Sequence, residues 1–218
     1  MTILLQNKYI SSLKENFMEL TVIREESVIT SHWAGGESKQ YYIYPPTSSY
    51  SNRDFLFRLS MATSTTDEEV KYSNLENFTR YLVMLEGTSQ VFHKGYYNII
   101  MTPYKEIDIF DGGWESSGIG KVTDFNMMLS KGIKGKMTVI DNSGNHIIGQ
   151  ICEVNHMQYN KIAFYCGQGT VNITLSADES VMLNKGDLLL IEDFVPNIID
   201  ADIQLTDAKL IRMDICCY

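Results

Sequence analysis

Asp54-Phe55-Leu56-Phe57-Arg58-Leu59-Ser60-Met61-Ala62 reads as an extended strand, whose successive side chains point to opposite faces. One face takes Phe55, Phe57, Leu59 and Met61, a core surface; the other takes Leu56, Arg58, Ser60 and Ala62. Arg58 and Ser60 therefore project the same way, as a site for a carboxylate or phosphate requires. A solvated outer face, or an Arg paired with an internal carboxylate, is the competing reading, since guanidiniums are mostly exposed or paired.

Outward from this run, the chain continues as short β-branched or aromatic segments punctuated by Gly, Asn, Asp and Ser, which predicts a mainly β protein, a barrel or sandwich. The expected strands are Glu19 to Ile29, Gln40 to Ile43, Phe55 to Thr63, Arg80 to Glu86, Lys121 to Leu129, Lys136 to Ile140, Lys161 to Cys166, Val171 to Leu175, Asp187 to Ile191 and Lys209 to Ile215. Asn7 to Asn16 is the one segment read as a short helix, and Tyr44-Pro45-Pro46 opens a loop because proline removes ladder donors. Gly186-Asp187 looks like a turn feeding a hydrophobic strand, a pattern that hairpins in general share. No long linker divides the chain. The best seam, Ser130 to Gly135, reads as a short connection between a first half of about residues 17–130 and a second of 131–218 within a single unit.

The 218 residues are 44% apolar, enough for a sizeable core, and carry a net charge of -9. That balance argues against nucleic acid, whose phosphates are met by Lys and Arg. No stretch approaches the roughly 20 apolar residues that span a bilayer, and Met1 to Leu5 lacks the features of a secretory signal. A cytoplasmic protein with no membrane partner is expected. Cys152, Cys166, Cys216 and Cys217 show no Cys-x-x-Cys spacing and read as buried, reduced thiols; the adjacent Cys216 and Cys217 would point to opposite faces of a strand.

Alternation in Lys121 to Leu129 groups Asp124 and Asn126 on one face of a strand that is apolar on both sides. Both side chains then need partners inside the protein, and Arg80, at the head of Tyr81-Leu82-Val83-Met84-Leu85, is placed to approach them. If Asp124 neutralises Arg80 or Arg58, the cluster is structural; if an Arg keeps unused donors, it is a binding site. Both readings stand on the sequence. His32, His93, His146 and His156 are scattered, without the convergent His and carboxylate set that a metal centre needs, so no metal and no cofactor are expected. There is no nucleophile elbow, and no catalytic residue is assigned. Asp108 and Asp111 beside Trp114 read as caps of the Gly112-Gly113 turn rather than a glycosidase pair. Trp33 and Trp114 each adjoin a glycine pair; Trp114 is read as closing a barrel end, while Trp33 either does the same or walls a ligand.

Taken in order, His32-Trp33-Ala34-Gly35-Gly36-Glu37, Ile43-Tyr44-Pro45, Phe55 to Ala62, Tyr72-Ser73, Arg80 with Leu85-Glu86-Gly87, Phe110 to Trp114, and Gly120 to Met128 resemble the HutD/Ves family. The match runs from about Ser31 to Gly132. It implies a cupin-type double-stranded β-helix, a bicupin with two barrel halves in one compact unit. The family is linked in some bacteria to histidine utilisation and in others to stress induction. It has no settled enzymatic activity; its proposed role is to bind a small metabolite and so regulate a pathway. Two departures stand out: Glu37-Ser38-Lys39 where many members have a Thr, and Glu76-Asn77-Phe78-Thr79 where a Pro-Gly turn is usual. The resulting expectation is a metal-free binder of a small carboxylate through Arg58, Ser60, Arg80, Asp124, Asn126 and Trp33. An isomerase or hydrolase using Asp124 as base, and a structural or protein-interaction role, stay open. So does a homodimer.

Overall fold

The computed structural model describes residues 18–148, 161–177, 179–192 and 199–217. The segment read as a helix, Asn7 to Asn16, and Cys152 and His156 lie outside these residues.

The chain opens with β1 (Glu19–Ile23), β2 (Thr30–Trp33), β3 (Gly36–Tyr44), β4 (Phe57–Ser64) and the short β5 (Val70–Lys71). It continues through β6 (Phe78–Glu86), β7 (Ser89–His93), β8 (Tyr97–Met101), β9 (Ile107–Asp111), β10 (Ser116–Ile119) and β11 (Val122–Ser130). The remainder comprises β12 (Lys134–Ile140), β13 (Gly144–Ile148), β14 (Lys161–Ser176), β15 (Glu179–Asn184), β16 (Leu188–Glu192) and β17 (Ile199–Cys216). Apart from one 3-10 turn, Glu25–Ser27, the regular structure of the described residues is all β, with no helix long and apolar enough to cross a membrane.

Three antiparallel sheets result. β2-β3-β4-β11-β6-β9 form a six-stranded sheet, β5-β10-β7-β8 a four-stranded one, and β1-β16-β14-β17-β12 the path of a seven-stranded one to which β13 and β15 attach. The six-stranded sheet buries Phe57, Leu59, Met61, Phe125 and Met127 against Ala163, Tyr165, Leu188, Leu190, Ile211 and Met213 of the seven-stranded sheet. That shared core is why one face of the opening run is apolar. Each fully buried Leu or Phe contributes about 1.5 to 3 kcal/mol by leaving water.

Three expectations need correction. Glu19 to Ile29 is not one strand. Asp187, 3% exposed, accepts from Arg24 Nη1 at 2.6 Å and from the Glu25 amide at 3.1 Å, and this anchor turns the chain between β1 and β2. Lys161 to Cys166 and Val171 to Leu175 are a single strand, β14, with irregular register between Cys166 and Thr170. At Gly169, with φ of +68°, a side chain would collide with the Thr206 and Asp207 carbonyls, so the interruption marks a kink rather than an end. The four strands between Ser89 and Ile119 are a further departure from expectation; they are only four or five residues long, and while β7 pairs with β8 and β10, β9 pairs with β6 and the other edge of β10 with β5. Cys166, Cys216 and Cys217 are buried thiols.

Candidate functional site

On the cavity-lining face of the six-stranded sheet, register places the candidate residues in rows across the strands. Met128 of β11 pairs with Arg58 on one side and Arg80 on the other; Asn126 pairs with Ser60, and Asp124 with Ala62. The two arginines are thus two strand spacings apart, roughly 10 Å at the backbone. β3 extends the rows, with Gln40 opposite Ser60 and Ser38 opposite Ala62. Together with Val70, Ser89 and Gly118 of the four-stranded sheet, these residues wall a cavity of about 820 Å³. Arg58, Ser60, Arg80, Asp124, Asn126 and Trp33 all line it.

Parity within β4 gives Arg58 and Ser60 this shared face. Phe55 departs from the expectation. It lies ahead of β4, where the chain bends at Leu56, and packs with Ile43, Leu75, Phe78 and Met128, while Leu56 joins Phe57 in the other core. Alternation holds only inside the ladder, so the two residues before it change sides. Phe55 instead stacks on Phe78 at 4.4 Å between centroids and helps to seat Tyr50.

Arg58 is 8% exposed. Its Nε donates to Gln40 Oε1 and its Nη1 to Ser60 Oγ, both at 2.8 Å, and its guanidinium lies 4.4 Å from the Tyr50 ring. Burial, together with the neighbouring Arg80 and Arg53 charges, lowers it to about 10, so it remains cationic at neutral pH. Arg80 is 7% exposed, close to the Tyr72 and Phe110 rings at 5.2 and 5.1 Å. Burial lowers its pKa as well. Among the described residues, no carboxylate comes within ion-pair distance of either arginine. Burial would raise the Tyr50 phenol, but its hydrogen bond with Ser73 and the Arg53 and Arg80 charges outweigh that and lower it.

Asp124 is half-buried and opens onto the cavity. Desolvation pushes its carboxyl up to about 7, against the opposing pull of Arg80. Three buried side-chain atoms lack a partner among the described residues: Ser64 Oγ, Arg80 Nε and Asn126 Oδ1. All three residues line this one cavity. An unpaired buried polar atom costs about 1 to 3 kcal/mol, and the coincidence of one strong donor and one acceptor on one wall suits a polar ligand.

Gln40, Tyr50, Tyr72 and Ser64 were missed as site residues. Tyr72 belongs to the Tyr72-Ser73 motif and Gln40 to an expected strand; register brings Gln40 beside β4, whereas Tyr72, just past β5, meets Arg80 because the four-stranded sheet also walls the cavity. Tyr50 sits in the loop after the prolines, where no periodicity points inward.

A second polar cluster lies outside the cavity. His93 Nε2 bonds Asp108 Oδ2 at 2.8 Å, His93 Nδ1 bonds Ser116 Oγ at 2.7 Å, and the Tyr97 hydroxyl donates to Asp108 Oδ1 at 2.6 Å. Phe110, Tyr97 and Trp114 rings surround the imidazole. The His93 and Asp108 side chains are 0% and 2% exposed, so this Ser-His-Asp array is a brace between β7 and β9 rather than a reaction centre. Asp108 is therefore not a turn cap. Asp111 is, accepting from the Gly113 amide at 2.8 Å. Trp114, just ahead of β10, stacks on Tyr96 in the turn between β7 and β8. Among the described residues, no three His, Cys, Asp or Glu side chains gather as a metal site.

A family model described as HutD matches residues 25–208. No curated protein matches the chain. Among solved structures, a conserved protein of unknown function from Pseudomonas aeruginosa superposes with a TM-score of 0.77 at 17% identity, covering 91% of this chain and all of that one. HutD from Pseudomonas fluorescens gives 0.72 at 16%, with the same coverage. The pirin YhhW from Escherichia coli, in complex with nickel(II), gives 0.61 at 11%, covering 92% of this chain and all of that one. A cupin barrel domain protein from Leptotrichia buccalis is also similar, with a TM-score of 0.53 at 15% identity, covering 89% of this chain and 96% of that one. At these identities the likeness concerns the fold, a cupin-like β architecture.

Proposed function

The chain belongs to the HutD family, and on that premise we propose that it is a cytoplasmic, metal-free bicupin that binds a small anionic metabolite between Arg58 and Arg80. The observation that carries this reading is that the buried polar atoms left unpaired, Ser64 Oγ, Arg80 Nε and Asn126 Oδ1, belong to residues lining one cavity. In this reading Arg80 supplies unused donors, and Arg58 is held in place by Gln40 and Ser60. Asn126 and a protonated Asp124 bond the polar remainder of the ligand. The biological role is regulation of histidine utilisation or of a stress response by ligand capture.

A thermal-shift screen of small carboxylates, including urocanate and formylglutamate, tests it, because a ligand that binds only the folded state raises the midpoint with concentration. The expected result is a saturable rise that Arg80→Ala abolishes. No response to any small carboxylate would sink the proposal. Arg58→Ala and Arg80→Ala variants that unfold more easily, in a protein with no ligand response, would favour the structural or protein-interaction role.

One observation favours a second reading, an isomerase or hydrolase of a small polar substrate. Asp124 is open to the cavity with its carboxyl near 7, the range suited to a general base. Turnover of a bound carboxylate that Asp124→Asn stops, with binding retained, would select it.

A further inference from the structure

The cavity is not polar throughout. Arg58, Arg80, Asp124 and Asn126 project from the inner strands β4, β6 and β11. The edge strand β2 and the residues just ahead of it also line the cavity, and there two large apolar side chains stand open among Ser27, Ser31 and His32. Ile29, just ahead of β2, is 82% exposed, and Trp33, at its end, is 39% exposed; both line the cavity. Half-buried Val28 and Val70 continue this apolar margin. The indole lies against Gly35, where any side chain would collide with it, so the backbone there is shaped to hold the ring in place.

Volume points the same way. A cavity of about 820 Å³ is in the range that holds a ligand of drug-like size, roughly 300 to 1,000 Å³. A bare carboxylate would occupy only its arginine end. Apolar side chains as open as Ile29 and Trp33 gain nothing from water, and they gain most from an apolar surface laid over them.

We propose that the ligand is an amphipathic acid: a carboxylate held by the arginine end, joined to an aromatic or alkyl body that rests on Ile29 and Trp33. This rests on the anion-binding reading above and adds the chemistry of the ligand's second end. The charged end sets orientation, and the apolar end supplies affinity in proportion to the area it covers.

Isothermal titration of the full chain with acetate, hexanoate and 3-phenylpropionate tests the proposal. Affinity is expected to rise along the series, by at least about tenfold from acetate to 3-phenylpropionate, a modest return for covering a phenyl ring. In the double variant Ile29→Ser and Trp33→Ser, whose parent side chains are open to solvent, the ratio between the two acids should fall towards one. Equal affinity of the unmodified protein for acetate and 3-phenylpropionate would overturn the inference while leaving the anion site standing. So would a ratio that the double variant retains. If none of the three acids binds, the anion-binding reading fails and this inference falls with it.

Discussion

Arg80 is a cation enclosed by aromatic rings, with its Nε unbonded and no carboxylate in ion-pair range among the described residues. Such a group costs stability unless something else requires it, since a buried charge without a partner is destabilising. Arg80→Met, which keeps the length and removes the charge, should therefore preserve or raise the denaturation midpoint. The same variant should lose at least about tenfold in carboxylate affinity by titration, as expected for the loss of a charge-assisted bond. Asp124 gives a pH dependence of defined sign. Its carboxyl is raised to about 7 in the folded protein, so between its ordinary value and 7 the folded state holds a proton that the unfolded chain has released. Its contribution to stability is full at low pH and declines as pH rises through that window. Above 7 its negative charge also opposes an anionic ligand. Affinity for 3-phenylpropionate should therefore fall from pH 6 to pH 8, measured in a His32→Gln background to remove the imidazole at the cavity mouth. Asp124→Asn should flatten the profile. The residue types of this site were legible, because Arg58 with Ser60 and Asp124 with Asn126 follow from strand parity alone. The partners Tyr50, Tyr72 and Gln40 were not, because each reaches the site through a loop or a neighbouring strand.

At the scale of elements, parity proved reliable inside a ladder and failed just outside it. Phe57, Leu59 and Met61 share a core as alternation requires, whereas Phe55 crosses to the cluster around Phe78. The close approach of β3 to β4 is another element property. A side chain on Gly36 would run into the Thr63 carbonyl, so Gly36→Ala must part the two strands. It should cost on the order of 2 kcal/mol in chemical denaturation, typical of overpacking, and weaken ligand binding by displacing Trp33. The His93 and Asp108 brace gives a contrasting expectation. Asp108→Ala leaves a buried imidazole and the Tyr97 hydroxyl without their acceptor. It should cost about 3 kcal/mol or more with carboxylate binding retained, because the brace lies outside the cavity; any change in affinity should be a gain, since the Asp108 charge opposes an anion at Arg80. Sequence alone misread Asp108 as a turn residue, since its partners are 11 and 15 positions away and sit on strands too short to be expected.

Across the whole molecule, the six- and seven-stranded sheets share one core, in which Phe125 meets Tyr41 and Tyr165, its ring 4.3 Å from that of Tyr165. Neither half can expose that face to water without losing the burial that stabilises it, so the halves should unfold together. Tryptophan fluorescence, which reports only on the first half through Trp33 and Trp114, and far-ultraviolet circular dichroism, which reports on all strands, should give coincident transitions. Phe125→Ala should lower both midpoints together, by about 3 to 5 kcal/mol of stability. The amino-acid sequence by itself determined the β class, the strand faces and the types of residue available for anion recognition, because alternation and turn chemistry are local properties. Only the tertiary structure decided that two arginines escape neutralisation, that Asp108 is a brace, and that Ile29 and Trp33 border the same cavity. Those outcomes depend on register between distant strands, and hydrogen-bond pairing across a sheet is set by how the strands pack together.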